Sequence, residues 1–295
     1  MRKLTLRSPA KINLCLAVLG RRPDGYHDVE MLMQMVGLYD EVTVAEGGEG
    51  VRVECDDAAV PAGEKNIAWK AATEMLKAAG RKAGLSVVIK KRIPVAAGLG
   101  GGSGNAAAVL AAANNLLGAG LDQKQLSDVG ARIGMDVPFF FHGPTAIARG
   151  RGEMLVSLPP LPQFWVLLVN PGFETSTAWV YKNLNLRLTK KVDCTKIARL
   201  TVRNIAESLH NDLETVTAAA HAVIGRIEAA LMTRGALGVR MSGSGPTVFG
   251  VFETEAACRT AADGLSQEGW RVYPVVTLTE SPMTKQLTGV SAPSA

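Results

Sequence analysis

Residues 94–105 read Pro94-Val-Ala-Ala-Gly-Leu-Gly-Gly-Gly-Ser-Gly-Asn105, with five glycines in the seven positions from Gly98 to Gly104. Glycine tolerates positive φ and lets main-chain N–H groups approach a ligand with no Cβ in the way. An alanine-rich run, Ala106 to Leu117, follows directly and predicts a helix closed by Gly118 and Gly120. A glycine loop that opens a helix aims free N–H groups and the positive end of the helix dipole at an anion. Ser103 adds a hydroxyl for a phosphate or a phosphate-bound cation, or a helix cap. The Lys-bearing P-loop is excluded, because no Lys follows the glycines. Rossmann spacing is met only loosely, by Gly102, Gly104 and Ala107; the ribose-binding acid would fall near Asp122, in a turn and not at a strand end. No His-Arg-Asp or Asp-Phe-Gly occurs, which removes the protein-kinase pattern. A flexible linker is the bland alternative, and the apolar elements on both sides argue against it.

Moving outward, Asn66 is placed to cap a helix over 67–79, and Leu85 to Lys90 is rich in β-formers. Most of the first 60 residues alternate like strands, with Ile12, Leu14, Leu16 and Val18 as the clearest set. Arg21-Arg-Pro-Asp-Gly is a turn. Downstream, a helix over 122–133 ends at Gly134, and Met135-Asp136-Val137-Pro138 reads as an extended, constrained stretch. Three prolines in Pro159-Pro-Leu-Pro162 mark a domain boundary. Beyond it come a strand over 164–169, helices over 175–182, 195–209 and 213–233, and a strand pair around a second glycine-rich turn, Ser242 to Pro246. A helix over 255–267 and a strand over 271–277 finish the pattern. The divisions expected are 1–158, 159–283 and a disordered tail, 284–295.

Composition sets the frame. Of 295 residues, 47% are hydrophobic and 20% charged, the balance of a globular chain, and aromatics at 5% leave Ala, Val and Leu to build the core. A net charge of +5 suits an anionic ligand. The basic residues are spread along the chain without interleaved aromatics, so no nucleic-acid partner is expected. No apolar run reaches a membrane span's length, so no membrane partner is expected, and the location expected is cytoplasmic. Cys15, Cys55, Cys194 and Cys258 are far apart and read as buried free thiols of a reducing compartment. His142, His210 and His221 are isolated and read as structural.

Three segments together resemble the GHMP kinases, the superfamily of galactokinase, homoserine kinase and mevalonate kinase. Ser8-Pro9-Ala10-Lys11-Ile12-Asn13-Leu14 is similar to the first motif, Pro94 to Ala108 to the second, and Met241-Ser-Gly-Ser-Gly-Pro-Thr247 to the third. The resemblance spans nearly the whole chain in order. It implies an α+β fold of two domains with the active site in the cleft between them. Arg22-Pro-Asp-Gly-Tyr-His27 and Gly134-Met-Asp-Val-Pro-Phe139 point further, to a branch whose acceptor carries a cytidine diphosphate. Two positions depart from the pattern. Gly104 stands where many relatives have Ser or Ala, which subtracts a hydroxyl from the phosphate site, and Met135 stands where Ala or Ser is usual.

Kinase chemistry needs an activated hydroxyl and neutralised phosphate charge. Asp136 is the candidate base and Lys11 its partner; the resemblance places them face to face across the acceptor hydroxyl. Their bland readings are a surface Lys on an edge strand and a turn-capping Asp. The resemblance assigns ATP to Pro94, Val95, Ala96, Ala97, Gly98, Leu99, Gly100, Gly101, Gly102, Ser103, Gly104 and Asn105, with Asn66 at the adenosine unless it merely caps a helix. It assigns Tyr26 and His27 to the cytidine end of a small-molecule substrate. Thr177 and Tyr181, four apart on a helix, contact the same molecule, as does Asn13. ATP implies Mg²⁺, with Ser103 and Asp136 as the available ligands. The third motif buttresses the phosphate loop or is a plain β-turn, and Asn211-Asp212 reads as a helix start. A monomer or a homodimer is expected. Competing readings are another kinase of the superfamily, against which Asp24 to His27 argues, and a non-catalytic nucleotide- or RNA-binding protein, against which the pairing of Lys11 with Asp136 argues.

Overall fold

The computed structural model describes residues 2–186, 192–197 and 201–283. Its frame is a long hairpin, β1 (Lys3–Arg21) and β2 (His27–Glu46), closed by the turn at Gly25, where φ is 87°. β2 is long enough to serve three neighbours. It pairs with β1 along one edge; along the other, Glu41–Glu46 pairs with β4 (Leu85–Lys90) and Val29–Gln34 with β5 (Thr145–Gly150). β3 (Val51–Cys55) lies parallel to β4, and β6 (Met154–Ser157) lies beside β5. Between these strands run α1 (Ile67–Ala78), α2 (Gly101–Leu117), α3 (Gln123–Ile133) and the short α4 (Phe139–His142).

The second half contributes β7 (Trp165–Asn170), α5 (Thr177–Asn183), α6 (Cys194–Ile197), α7 (Val202–Glu207), β8 (His210–Asn211), α8 (Glu214–Ala220) and α9 (Val223–Thr233). It closes with β9 (Gly238–Met241), β10 (Val248–Phe252), α10 (Glu255–Leu265) and β11 (Arg271–Val276). The second sheet runs β11-β7-β10-β9, antiparallel throughout. β8 joins the first sheet instead, parallel to β1 at Cys15 and Leu16. The result is the α+β fold that the resemblance implies, built on two sheets.

The burial pattern explains why β1 does not alternate cleanly. One face, with Leu6, Leu16 and Val18, packs under α1 and α2 through Ala71, Ala72 and Val109. The other, with Ala10, Ile12 and Leu14, meets Phe164, Val166 and Phe249 of the second half. A strand covered on both faces reads as a continuous apolar run. Pro9 has no N–H to give a ladder and sits where the register slips between Pro9 and Ala10.

Several boundaries differ from the sequence reading. The helix expected from Ala106 begins at Gly101, because the last glycines of the loop are the first turn of α2. The stretch around Asp136 is a turn and not extended; the Val137 N–H donates to the Gly134 carbonyl at 3.1 Å. The helix over 213–233 breaks at His221, whose backbone is extended, into α8 and α9. The helix over 195–209 becomes α6 and α7, with 198–200 outside the described residues. The tail 284–295 also lies outside them.

The cysteine reading is corrected as well. Cys15 and Cys194 form a disulfide across a sequence separation of 179 residues, and Cys55 and Cys258 are the free thiols. No local spacing could announce that pair, since only the docking of α6 on β1 brings the two side chains together. No helix among the described residues is long and apolar enough to cross a membrane.

Candidate active site

Both halves of the chain line one cleft, a cavity of about 1390 Å³ with room for two ligands. The glycine loop forms one wall. Gly98 has φ +77°, and a Cβ there would stand 2.0 Å from the Ser242 carbonyl oxygen. Gly100 has φ +67° and lies against the Lys11 stem. Gly100 caps α2 without a side chain, so the N–H groups of the first turn remain open. Aimed into the cleft at the positive end of a 17-residue helix, they form an anion cradle.

Lys11 enters from β1 just past the register slip, and bulges re-aim side chains in this way. Its backbone N–H donates to the Leu99 carbonyl at 2.9 Å, tying strand to loop. Its Nζ donates to Asn13 Oδ1 at 2.7 Å and stands 3.6 Å from Asp136 Oδ2. The Lys11 side chain is 5% exposed and that of Asp136 35%, so the carboxylate faces the cavity.

Elsewhere along the cleft, His27 and Tyr181 stack with ring centroids 5.1 Å apart and planes 26° apart. Burial, and then the charge of Arg21, hold the His27 imidazole below its usual range. Burial and the Asp136 carboxylate push the Tyr181 phenol above its usual range. Tyr26 is 52% exposed at the cleft mouth. Thr177 and Ser244 share a hydroxyl hydrogen bond of 2.8 Å.

Most of the residues expected at the site line this one cavity: Lys11, Asn13, Tyr26, His27, Asn66, Asp136, Thr177, Tyr181 and ten of the loop positions 94–105. Two loop positions do not. Leu99 is buried in the core between the halves. A Cβ on Gly104 would meet Ser8 Oγ at 2.6 Å and Phe140 at 3.2 Å, so its open side faces β1 and not the cleft. The hydroxyl that the sequence reading subtracted from the phosphate site would therefore lie against Ser8. Asn66 caps α1: its Oδ1 accepts the Ala68 N–H at 2.8 Å and its Nδ2 donates to the Pro61 carbonyl at 2.9 Å. Asn105 is buried, and its Oδ1 has no hydrogen-bond partner among the described residues.

The third glycine turn lies against the phosphate loop. Ser242 Oγ donates to the Gly98 carbonyl at 2.9 Å and accepts the Asn13 N–H at 3.3 Å, joining loop and β1. Asn211, read from sequence as a helix start, does accept the Leu213 N–H. Its amide also donates to the Met241 and Gly243 carbonyls, both at 2.8 Å. Only the run of carbonyls in a glycine turn hinted at such a partner.

A family model described as GHMP kinases N terminal domain matches residues 66–144, and one described as GHMP kinases C terminal matches residues 196–270. The chain belongs to the GHMP kinases. It is 52% identical to the 4-diphosphocytidyl-2-C-methyl-D-erythritol kinase of Syntrophotalea carbinolica, over 91% of this chain and 96% of that one. Identity to the Geobacter sulfurreducens protein of the same name is 48%, over 94% and 100%. A crystal structure of 4-(cytidine 5'-diphospho)-2C-methyl-D-erythritol kinase superposes with a TM-score of 0.83 at 33% identity, covering 93% of this chain and 99% of that one. Homoserine kinase from Cytophaga hutchinsonii shares the fold, with a TM-score of 0.73 at 20% identity over 94% and 95%. Within the superfamily, the chain belongs to the 4-diphosphocytidyl-2-C-methyl-D-erythritol kinase family.

Proposed function

We propose that this enzyme transfers the γ-phosphoryl group of ATP to the 2-hydroxyl of 4-diphosphocytidyl-2-C-methyl-D-erythritol, in the non-mevalonate route to isoprenoid precursors. The observation that carries the reading is the Lys11–Asp136 pair, 3.6 Å apart and lining the same cavity as the open first turn of α2. The acceptor oxygen attacks the γ-phosphorus, the bond to the bridging oxygen breaks, and ADP leaves. Asp136 takes the hydroxyl proton, and Lys11 holds the carboxylate in place and offsets the charge that develops. The N–H groups at Gly101 to Ser103 hold the phosphates. His27, Tyr181 and Tyr26 take the cytidine, while Asn13 and Thr177 bond the sugar alcohol. Residues 1–158 carry the ATP site and 159–283 close over the acceptor; the enzyme works in the cytoplasm, as a monomer or a homodimer and without nucleic acid.

Mg²⁺, brought in on ATP, neutralises phosphate charge during transfer. Asp136 and Ser103 would be the oxygen donors that hold it. Among the described residues no three His, Cys, Asp or Glu side chains gather to hold an ion, which suits one delivered on phosphates.

The test is ADP release from ATP and Mg²⁺ with each of three alcohols. Turnover of the cytidine diphosphate substrate is expected; turnover of homoserine or mevalonate instead would sink the reading. Asp136→Asn should lower kcat by about 10²- to 10⁴-fold while ATP affinity stays within about twofold. Retained turnover would refute Asp136 as the base.

A further inference from the structure

One wall of the cleft, built from residues 60–67 and 89–95, adjoins the anion cradle. Ile67, which opens α1, stands against Gly102, where an added Cβ would lie 3.5 Å from Ile67 Cγ2. Val60, Pro61 and Pro94 line the wall with it, and neither proline has an N–H to offer. Among the lining residues of this wall, Asn66 is the one whose side chain carries an acceptor oxygen. It is 3% exposed, and both ends of its amide are engaged: Oδ1 accepts the Ala68 N–H and Nδ2 donates to the Pro61 carbonyl. Lys65 and Lys91 bring donors alone, and Lys91 is held by the buried Asp40. The Lys91 N–H is taken by Asp56 Oδ1 at 2.8 Å, and that of Val60 by the Asp57 carbonyl at 3.1 Å.

We infer that this wall grips a purine by its faces and does not read its edge, so that GTP serves as a phosphoryl donor beside ATP. The inference rests on the donor reading proposed above and extends it. Adenine carries an amino donor at position 6, where guanine carries an oxo acceptor, and guanine adds a 2-amino group. Preferring adenine takes an acceptor facing position 6, and the one side-chain acceptor of this wall is committed to capping α1. The ammonium of Lys65 suits N7 of either purine, and the guanine oxygen as well. An apolar slot rejects a near-isostere by only about 10²-fold, whereas a site built to bond an edge rejects the wrong one by about 10⁴-fold or more. A cavity of about 1390 Å³ leaves space for the 2-amino group. The transfer itself is unchanged. The acceptor oxygen attacks the γ-phosphorus of GTP, the bond to the bridging oxygen breaks, the hydroxyl proton passes to Asp136, and GDP leaves in place of ADP.

Calorimetric titration of ADP and of GDP, each with Mg²⁺, into the whole chain tests this without the acceptor. The two Kd values should agree within about tenfold, and a wider gap overturns the inference. Asn66→Ser keeps an oxygen to cap α1 but loses the amide, and the GDP-to-ADP ratio should stay within about twofold of wild type. A ratio that moves further makes Asn66 a reader of the base and overturns the inference as well. With the acceptor added, GTP should phosphorylate it at a kcat within about tenfold of that with ATP. GTP that binds but transfers nothing, where ATP does, also overturns it. Matched ADP and GDP binding with no transfer from either nucleotide overturns the acceptor reading and supports the tolerance of this wall. Failure to bind ADP overturns the donor reading and this inference with it.

Discussion

Ser8 and Gly104 show how closely the phosphate loop is fitted to β1. Ser8 Oγ is buried with no hydrogen-bond partner among the described residues, and it stands 2.6 Å from where a Gly104 Cβ would be. An unsatisfied buried hydroxyl costs about 1–3 kcal/mol, and glycine inside a helix costs about 1 kcal/mol relative to alanine. Ser8→Ala should therefore be neutral or mildly stabilising. Gly104→Ala alone gains helix propensity but crowds the Ser8 hydroxyl, whereas in the Ser8→Ala background the crowding is relieved. A double-mutant cycle in urea should give a favourable coupling of about 0.5 kcal/mol or more; additive effects would show that the two positions do not meet. At this scale the sequence was legible where chemistry demands an uncommon residue. Asp136 and Lys11 came from the motif resemblance, and the structure brings them within 3.6 Å of each other. Asn211 and Ser242 did not, because an Asn before a helix and a Ser in a turn have commonplace roles; Asn211 bonds a turn thirty residues on, and Ser242 reaches Gly98 and Asn13 only where the two halves dock.

Elements make the cradle. α2 presents bare N–H groups only because the backbone before it crosses the left-handed region at Gly98 and Gly100. Gly98 is further constrained by the third glycine turn, whose Ser242 carbonyl occupies the space of any side chain. Gly98→Ala should cost about 1–3 kcal/mol through backbone strain alone and displace the loop from Ser242. Guanidinium melts should show the loss, and ATP affinity should fall by more than acceptor affinity. A variant with wild-type stability and ATP binding would mean that the loop moves freely. The helix over 67–79 and its cap Asn66 were readable from local chemistry, whereas the helix over 213–233 was read without its break at His221. The start of α2 was not readable. Glycine disfavours helix on average, and what holds residues 101–104 helical is their packing against Ile93, Ser8 and Phe140.

At the scale of the whole molecule, charge is buried behind the cleft wall as well. Glu214 of α8 accepts from Arg240 at 2.6 Å and from the Met241 N–H at 2.7 Å, at the start of the third glycine turn. Glu228 of α9 lies near it with Oε1 unpartnered, and burial plus the Glu214 charge push its carboxyl up to about 7. The folded state thus holds this proton more tightly than the unfolded chain. The stabilisation is full below about pH 4.5 and is lost as the pH rises through about 7. Glu228→Gln should flatten the fall in melting temperature between pH 5 and 8, with its largest gain over wild type at pH 8. Parallel melting curves for both proteins across that range would refute the assignment. None of this showed in the sequence, where residues 213–233 read as a single helix; the break at His221 brings Glu214 and Glu228 near each other.

β8 is only two residues long, yet it sits beside the strand that carries Lys11 and reaches it from the far side of the prolines. Asp212, next in the chain, accepts the Val18 N–H at 2.8 Å, and its own N–H donates to the Leu16 carbonyl at 3.0 Å. For anyone recombining this enzyme with a relative, the tempting crossover at Pro159–Pro162 is therefore a poor one. A chimaera joined there would take its first sheet from two parents. Only a donor whose 210–212 segment can zip onto the host's 15–18 would leave Lys11 correctly seated.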